Sequence, residues 1–251
     1  MLGCPIDGLT QAEAVERISG WASRRESRAV YFCNAHSIVT GTRSPDFARL
    51  ITRADLAAPD GMPVAWMLRR HGFPSQERIC GPDLMLAYCE HAEAAGQRIF
   101  LLGSDPQTLD TLRTRLLERY PELQIAGWIS PPFRALTSEE DRVVVDQING
   151  SGAQVVFVGL GCPKQERWIH RHLDTVQAVM IGVGAAFSFH AGTVPRAPIW
   201  MQQHGLEWLF RVACEPRKLW RRYLVTNVLF VTGIVRNKIR RTIRERFAQA
   251  R

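Results

Sequence analysis

Six short runs, each of strand length and almost continuously apolar, restrict this chain more than any other feature. They are "RAVYFCN" (Arg28–Asn34), "RIFLLGS" (Arg98–Ser104), "LQIAGWIS" (Leu123–Ser130), "AQVVFVGLG" (Ala153–Gly161), "AVMIGVGA" (Ala178–Ala185) and the weaker "ADLAAPD" (Ala54–Asp60). A strand with one wet face alternates apolar and polar residues. A run without that alternation suits burial on both faces, the usual condition of a parallel sheet. Helical patterns lie between the runs. "GPDLMLAYCEHAEAAG" has Asp83 near its start and Gly96 as its stop. "SDPQTLDTLRTRLLERYP" offers Ser104 or Asp105 as cap, Pro106 in the first turn and Pro121 beyond the end. "TSEEDRVVVDQINGSG" starts from Thr137 and ends at Gly150. Strand–helix alternation predicts an α/β fold: a Rossmann-like, mostly parallel sheet with helices on both faces and right-handed crossovers. Two prolines in "GTVPRAPIW" (Gly192–Trp200) break the pattern. The expected organisation is therefore an α/β core over residues 1–195 and a helical appendage over 196–251, with a helix opening at Pro216 and running to about Phe247.

Charge separates the same two parts. Residues 217–251 hold eleven Lys and Arg against one acid, Glu245, a net +10, while the preceding residues carry −2. Arg217, Arg221 and Arg222 recur at helical spacing, as do Arg236, Arg240 and Arg244, with Trp220, Tyr223, Leu224 and Phe230 interleaved. A basic amphipathic helix with aromatics suits an anionic lipid surface; nucleic acid is the rival partner. The longest apolar stretch there, "YLVTNVLFVTGIV", has thirteen residues. A spanning helix needs about 20, so the tail is expected to lie on a membrane and not cross it. The start, "MLGCPIDGLTQAEAVERI", lacks a basic segment followed by an apolar one, so no signal peptide is expected. Six cysteines without a Cys-x-x-Cys pair point to a reduced setting.

Ligands of parallel sheets bind beyond the carboxyl ends of the strands. Five such ends carry Gly or polar residues: Asn34 with His36 and Ser37, Asp60, Gly103 to Asp105, "LGCPKQE" after Gly159, and "AAFSFHAG" containing Ser188. That pattern fits a nucleotide or sugar-nucleotide cleft. Asp60, between Pro59 and Gly61, reads either as a turn or cap residue or as a general base. "GLGCPKQE" is neither a P-loop nor a full dinucleotide fingerprint. It reads either as a tight strand-to-helix corner or as an anion site, with helix N–H groups, Lys164 and Gln165 available to a phosphate or sugar. Cys162 reads as a packing residue in preference to a nucleophile. In "HRH", His170 and His172 point apart at i,i+2 and read as surface. No Asp-x-Asp occurs, so no metal site of that type is expected; Arg or Lys would have to neutralise a leaving phosphate.

"NAHSIV", "APDGMPVAW", "ERICGPDLM", "RIFLLGS", "GLGCPKQERWI", "GVGAAFSFHAGTVPRAP" and "GLEWLFRVACEPRKLWRRY" follow one another from about residue 30 to 225. Together they resemble the WecG/TagA/CpsF family of bacterial glycosyltransferases. The resemblance implies an inverting, metal-independent enzyme without a cofactor, peripheral on the cytoplasmic face of the plasma membrane. It implies transfer of a hexose or N-acetylhexosamine from a UDP-sugar to a polyprenyl-diphosphate-linked sugar in cell-surface polysaccharide synthesis, teichoic-acid-like pathways included. By motif, Asp60 matches the proposed base, and Asn34, Arg78 and Gln165 match pocket polar groups. Gly103, Gly159, Lys164, Glu166 and Ser188 join them as candidate substrate contacts. Arg211, Arg217, Arg221 and Arg222 are the candidates from the appendage to reach the site. Two positions depart from the family pattern: Phe32 stands where Thr is usual, and Ser188 where Asp is usual. They leave a donor other than N-acetylmannosamine open. The expected partners are the two substrates and an anionic membrane, not nucleic acid, with self-association open. The rivals are a nucleotide-dependent oxidoreductase and a basic-tailed nucleic-acid-binding protein.

Overall fold

All six apolar runs form strands, and all pair in parallel in one sheet. The computed structural model describes the backbone of residues 1–249 and the side chains other than those of Lys218, Arg222 and residues 238 onward. The chain runs α1 (Gln11–Ser23), β1 (Arg28–Cys33), α2 (Ala35–Arg43), α3 (Pro45–Thr52), β2 (Leu56–Pro59), α4 (Met62–Arg69) and α5 (Gly81–Ala95). It continues with β3 (Arg98–Gly103), α6 (Pro106–Arg119), β4 (Gln124–Ile129), α7 (Ser138–Ser151), β5 (Val155–Gly159) and α8 (Lys164–Arg171). Then come β6 (Val179–Gly182), α9 (Ala186–Ala191), α10 (Ile199–Gln203), α11 (Glu207–Cys214) and α12 (Pro216–Gln249).

Local chemistry sets the helix boundaries. Asp105 caps α6 by accepting from Thr108 N at 2.9 Å, with Pro106 in the first turn. Thr137 and Glu140 form a reciprocal capping box on α7. Gly96 ends α5 in the left-handed region (φ 64°). Sequence patterning leaves α1 unmarked although Thr10 and Glu13 form a capping box there too.

The strand order is β2-β1-β6-β5-β3-β4. Alternate side chains go to opposite faces. Val30, Ile99, Leu101, Phe157 and Ile181 pack under α1, α5, α6 and α9, while Tyr31, Phe100, Val156, Val158 and Met180 pack under α3, α7 and α8. β4 departs from the expectation of two buried faces. It is one of the two sheet edges, mostly half-buried where the other edge, β2, is buried throughout, and its Trp128 remains 42% exposed, with the Arg113 guanidinium 3.9 Å from the ring centroid. A second correction concerns His172, which is buried and not on the surface. Its Nδ1 lies 2.8 Å from Trp168 O and its Nε2 3.1 Å from Asp141, because α8 turns that side of the helix end towards α7. Among the described residues, no group of His, Cys, Asp and Glu is arranged to hold a metal ion.

The segment after residue 195 folds back on the rest of the chain. Phe230 of α12 packs with Ile38 and Val39 of α2 and Val64 of α4. Thr226 Oγ1 lies 3.3 Å from His36 Nδ1. The outward side of α12 exposes Trp220, Leu224, Val225, Val228, Val231 and Val235 together with Arg217, Arg221 and Arg236. The side chains of Arg240 and Arg244 lie outside the described residues. No helix among the described residues is long and apolar enough to cross a membrane.

Candidate active site

A cavity of about 340 Å³ opens at the carboxyl ends of β1, β2, β5 and β6. Its walls are strand-end loops on one side and the C-terminal helices on the other: Gln202 from α10, Glu207, Trp208 and Arg211 from α11, and Tyr223, Thr226 and Asn227 from α12.

Asn34 and Asp60 meet here although they are 26 residues apart. Parallel pairing sets Cys33 beside Pro59, so the residues after β1 and β2 leave the sheet side by side. Asn34 Oδ1 accepts from Ser37 N at 3.1 Å and caps α2, which turns its Nδ2 to donate to Asp60 Oδ2 at 3.2 Å. Asp60 does not cap α4. The cap position belongs to Gly61, at φ 83°, and no side chain caps that helix. The carboxylate is therefore free to face the cavity. Burial pushes its pKa up to about 6; Arg78 opposes the rise, Glu207 adds to it, and the Asn34 amide and Arg211 oppose it. A carboxylate with such a pKa is mostly ionised at neutral pH and basic enough to take a proton from a hydroxyl.

Arg78 is held on three sides. Its Nη1 donates to Glu207 Oε2, and its Nη2 donates to Asp83 Oδ2 at 3.1 Å and to Gln202 Oε1 at 3.0 Å. Asp83 also pairs with Arg196 at 2.6 Å. Cys80 donates to Asp83 at 3.0 Å, and burial holds its thiol well above the ordinary range. Arg211 lines the cavity with its guanidinium 5.6 Å from the centroid of Phe189.

Gln165 and Glu166 line the cavity at the start of α8, where the Cys162–Pro163 peptide is cis. Gln165 is only 5% exposed, and its amide is used by the protein itself. Oε1 accepts from Gly161 N (3.1 Å) and Gly184 N (3.0 Å); Nε2 donates to Gly182 O (2.9 Å) and Glu166 Oε1 (3.1 Å). The side chain thus joins the loop after β5 to the loop after β6. A Cβ on Gly182 would lie 2.9 Å from that amide, so the Gly makes room for it. Glu166 is 3% exposed; its Oε2 is buried with no hydrogen-bond partner among the described residues, and burial raises its pKa.

The other sequence candidates lie elsewhere. Gly103 and Gly159 do not line the cavity; they face each other across β3 and β5, where a Cβ on Gly103 would come within 2.6 Å of the Gly159 backbone. A Cβ on Gly159 would meet the Phe187 ring at 2.7 Å. Lys164 is exposed and Ser188 is half-buried on α9, both off the cavity wall. Arg217 and Arg221 are exposed on α12, Arg221 against Trp220, and neither lines the cavity. The Arg222 side chain lies outside the described residues. Of the two departures from the family pattern, Phe32 lines the cavity and Ser188 does not. Sequence reasoning missed Glu207, Gln202, Tyr223 and Asn227. Glu207 lay inside a quoted motif, but no local pattern marks a lone acid as the partner of an arginine 129 residues away.

Known proteins fall in line with this arrangement. The sequence model of the glycosyl transferase WecG/TagA/CpsF family matches residues 1–244. A Bacillus spizizenii protein named N-acetylglucosaminyldiphosphoundecaprenol N-acetyl-beta-D-mannosaminyltransferase is 32% identical over 198 residues, 78% of this chain and 74% of its own length. A Staphylococcus aureus protein of the same name is 27% identical over 244 residues, 96% of this chain and 94% of its own. With a parallel sheet, a polar cavity at its strand ends and a family match over nearly its whole length, the chain belongs to the WecG/TagA/CpsF family of glycosyltransferases.

Proposed function

We propose that the protein transfers a hexose or N-acetylhexosamine from a UDP-sugar to a polyprenyl-diphosphate-linked sugar, with inversion and without a metal, in the synthesis of a cell-surface polymer. The observation that carries this reading is the cavity-lining Asp60 carboxylate, hydrogen-bonded by Asn34 and in the electrostatic field of Arg78 and Arg211. The names of the two relatives supply the lipid-linked acceptor class. Asp60 takes the proton of the acceptor hydroxyl as that oxygen attacks the anomeric carbon; the bond to UDP breaks on the opposite face. Negative charge grows on the departing diphosphate, and Arg78, Arg211 and the N–H groups at the start of α8 are the groups near enough to stabilise it. Walls from α11 and α12 limit the entry of water.

The direct test combines a panel of UDP-sugars with a polyprenyl-diphosphate N-acetylglucosamine acceptor and follows both UDP release and the extended lipid by mass spectrometry. UDP is expected to stabilise the protein against heat where NAD does not. No extended lipid from any donor would sink the reading. The pH dependence has a fixed sign. The base must be ionised, and its pKa is raised to about 6. Below that value kcat/KM should fall about ten-fold per pH unit. A profile flat down to pH about 4.5, near an unperturbed carboxyl, would remove Asp60 from the role.

Membrane attachment is part of the proposal, with the protein peripheral on the cytoplasmic face where both substrates are available. The outward row Trp220, Leu224, Val228 and Val231 is flanked by Arg217 and Arg221, and Ile199 and Trp200 of α10 are exposed as well. Leu224 is 58% exposed. Leu224→Asp should weaken binding to vesicles of anionic phospholipid by about ten-fold or more, since burial of one Leu contributes about 1.5–3 kcal/mol. Unchanged vesicle binding would refute this docking face.

A further inference from the structure

Two groups of opposite charge in the cavity already satisfy each other. Among the described residues, the acidic and basic side chains of the lining are three carboxyl groups, on Asp60, Glu166 and Glu207, two guanidinium groups, on Arg78 and Arg211, and the imidazole of His36, beside the Cys80 and Cys162 thiols and the Tyr223 phenol. That lining is poor in free positive charge for a ligand bearing a diphosphate. Both terminal nitrogens of Arg78 are engaged, Nη1 by Glu207 and Nη2 by Asp83 and Gln202. Asp83 has a second cation, Arg196. Glu207, by contrast, has Arg78 as its one ion-pair partner among the described residues. It stands in the first turn of α11, directly after Gly205 and Leu206, with its side chain 22% exposed. It is therefore the carboxylate that can leave Arg78 for solvent without stranding another buried charge.

We propose that Glu207 is a displaceable latch: its carboxylate holds Arg78 at the cavity wall, and the diphosphate of an incoming ligand takes its place. The inference rests on the reading that a diphosphate enters this cavity. Exchange of one anion for another keeps the buried guanidinium paired throughout, which avoids the penalty of an uncompensated charge. A guanidinium fork accepts a phosphate as readily as a carboxylate. The arrangement holds Arg78 in its binding orientation before the ligand arrives. Because Glu207 belongs to the C-terminal segment, the exchange would also release one contact between α11 and the sheet side of the cavity. Glu207 is thus a positioning residue that opposes binding, and its removal should improve affinity, the reverse of what loss of a merely structural ion pair would do.

The test is calorimetric titration of the full-length protein with UDP, and in parallel with inorganic pyrophosphate. Glu207→Gln leaves Nη1 of Arg78 a neutral acceptor in place of a carboxylate and should bind UDP about five-fold more tightly than the wild-type chain, the difference between a charge-assisted and a neutral hydrogen bond. Glu207→Ala should shift affinity in the same direction, which covers the case of one variant failing to fold. Glu207→Asp, which keeps the charge, should bind as the wild type does. Equal or weaker diphosphate binding by the folded Gln and Ala variants overturns the latch. Tighter pyrophosphate binding without any UDP binding supports the latch and instead removes the UDP-sugar reading.

Discussion

Asp60→Asn should lower turnover with a lipid-diphosphate acceptor by about 10²–10⁴, the usual contribution of a positioned general base. The substitution keeps shape and polarity. Asn34 Nδ2, now 3.2 Å from Asp60 Oδ2, can donate equally well to a carboxamide oxygen once the new amide is oriented. UDP binding should be retained, because the change removes a negative charge from a cavity that accepts an anion. Stability carries a second signature. The folded-state pKa of Asp60 is raised by burial from the ordinary carboxyl value of 3.8 to about 6. A carboxyl raised in this way favours the fold while protonated, and that advantage is lost as pH rises through about 6. At neutral pH the ionised group therefore costs on the order of 3 kcal/mol, a cost that the neutral Asn avoids. The variant should melt higher than the wild type at neutral pH while being nearly inactive. A folded Asp60→Asn protein with near wild-type UDP release would overturn the assignment.

Gln165→Leu is expected to damage both the fold and the site. The side chain is buried, and its amide serves the N–H groups of Gly161 and Gly184, the carbonyl of Gly182 and the carboxyl of Glu166. A leucine of similar volume leaves those four groups without that partner. Gly161, Gly182, Gly184 and Glu166 all line the cavity, but only Gly161 and Gly184 are half-buried and can be rehydrated in part. The Gly182 carbonyl and the Glu166 carboxyl lie deeper, at about 1–3 kcal/mol for each unsatisfied group. A loss on the order of 3 kcal/mol follows, a fall in Tm of roughly 6–12 °C for a chain of this size. Activity should drop with it, since the loops after β5 and β6 would no longer be joined. The informative contrast is UDP affinity: a direct ligand contact would be lost with little change in Tm, whereas a joining role lowers both. A Tm within about 1 °C of wild type would reject the joining role.

Much of the architecture was legible because it is written in short-range patterns. Unbroken apolar runs marked β1, β3, β5 and β6, and Asp105, Thr137 and Gly96 marked helix ends through bonds that span a few residues. The burial of β4 was misjudged for the same reason: its own residues do not say how much of them the neighbouring helices cover. Gly103 and Gly159 looked like ligand turns, and what they have in common is close backbone approach, here to each other and to Phe187. A glycine signals missing volume without naming the neighbour that needs it. Lys164 read as a charge for phosphate, yet the first turn of α8 carries it to the outside while turning Gln165 and Glu166 inward.

The sequence alone determined the parallel sheet, the carboxylate at the end of β2 and the concentration of positive charge after residue 216, because periodicity, strand-end position and composition are properties of neighbouring residues. The tertiary structure alone decided which polar groups remain available. It uses up the amide of Gln165 between two loops, ties Arg78 to Glu207 across 129 residues and makes α11 and α12 a wall of the cavity. The physical reason is that hydrogen-bond saturation and charge pairing depend on distance in space. Two residues acquire or lose a partner only when the sheet and the C-terminal helices bring them within about 3 Å of each other.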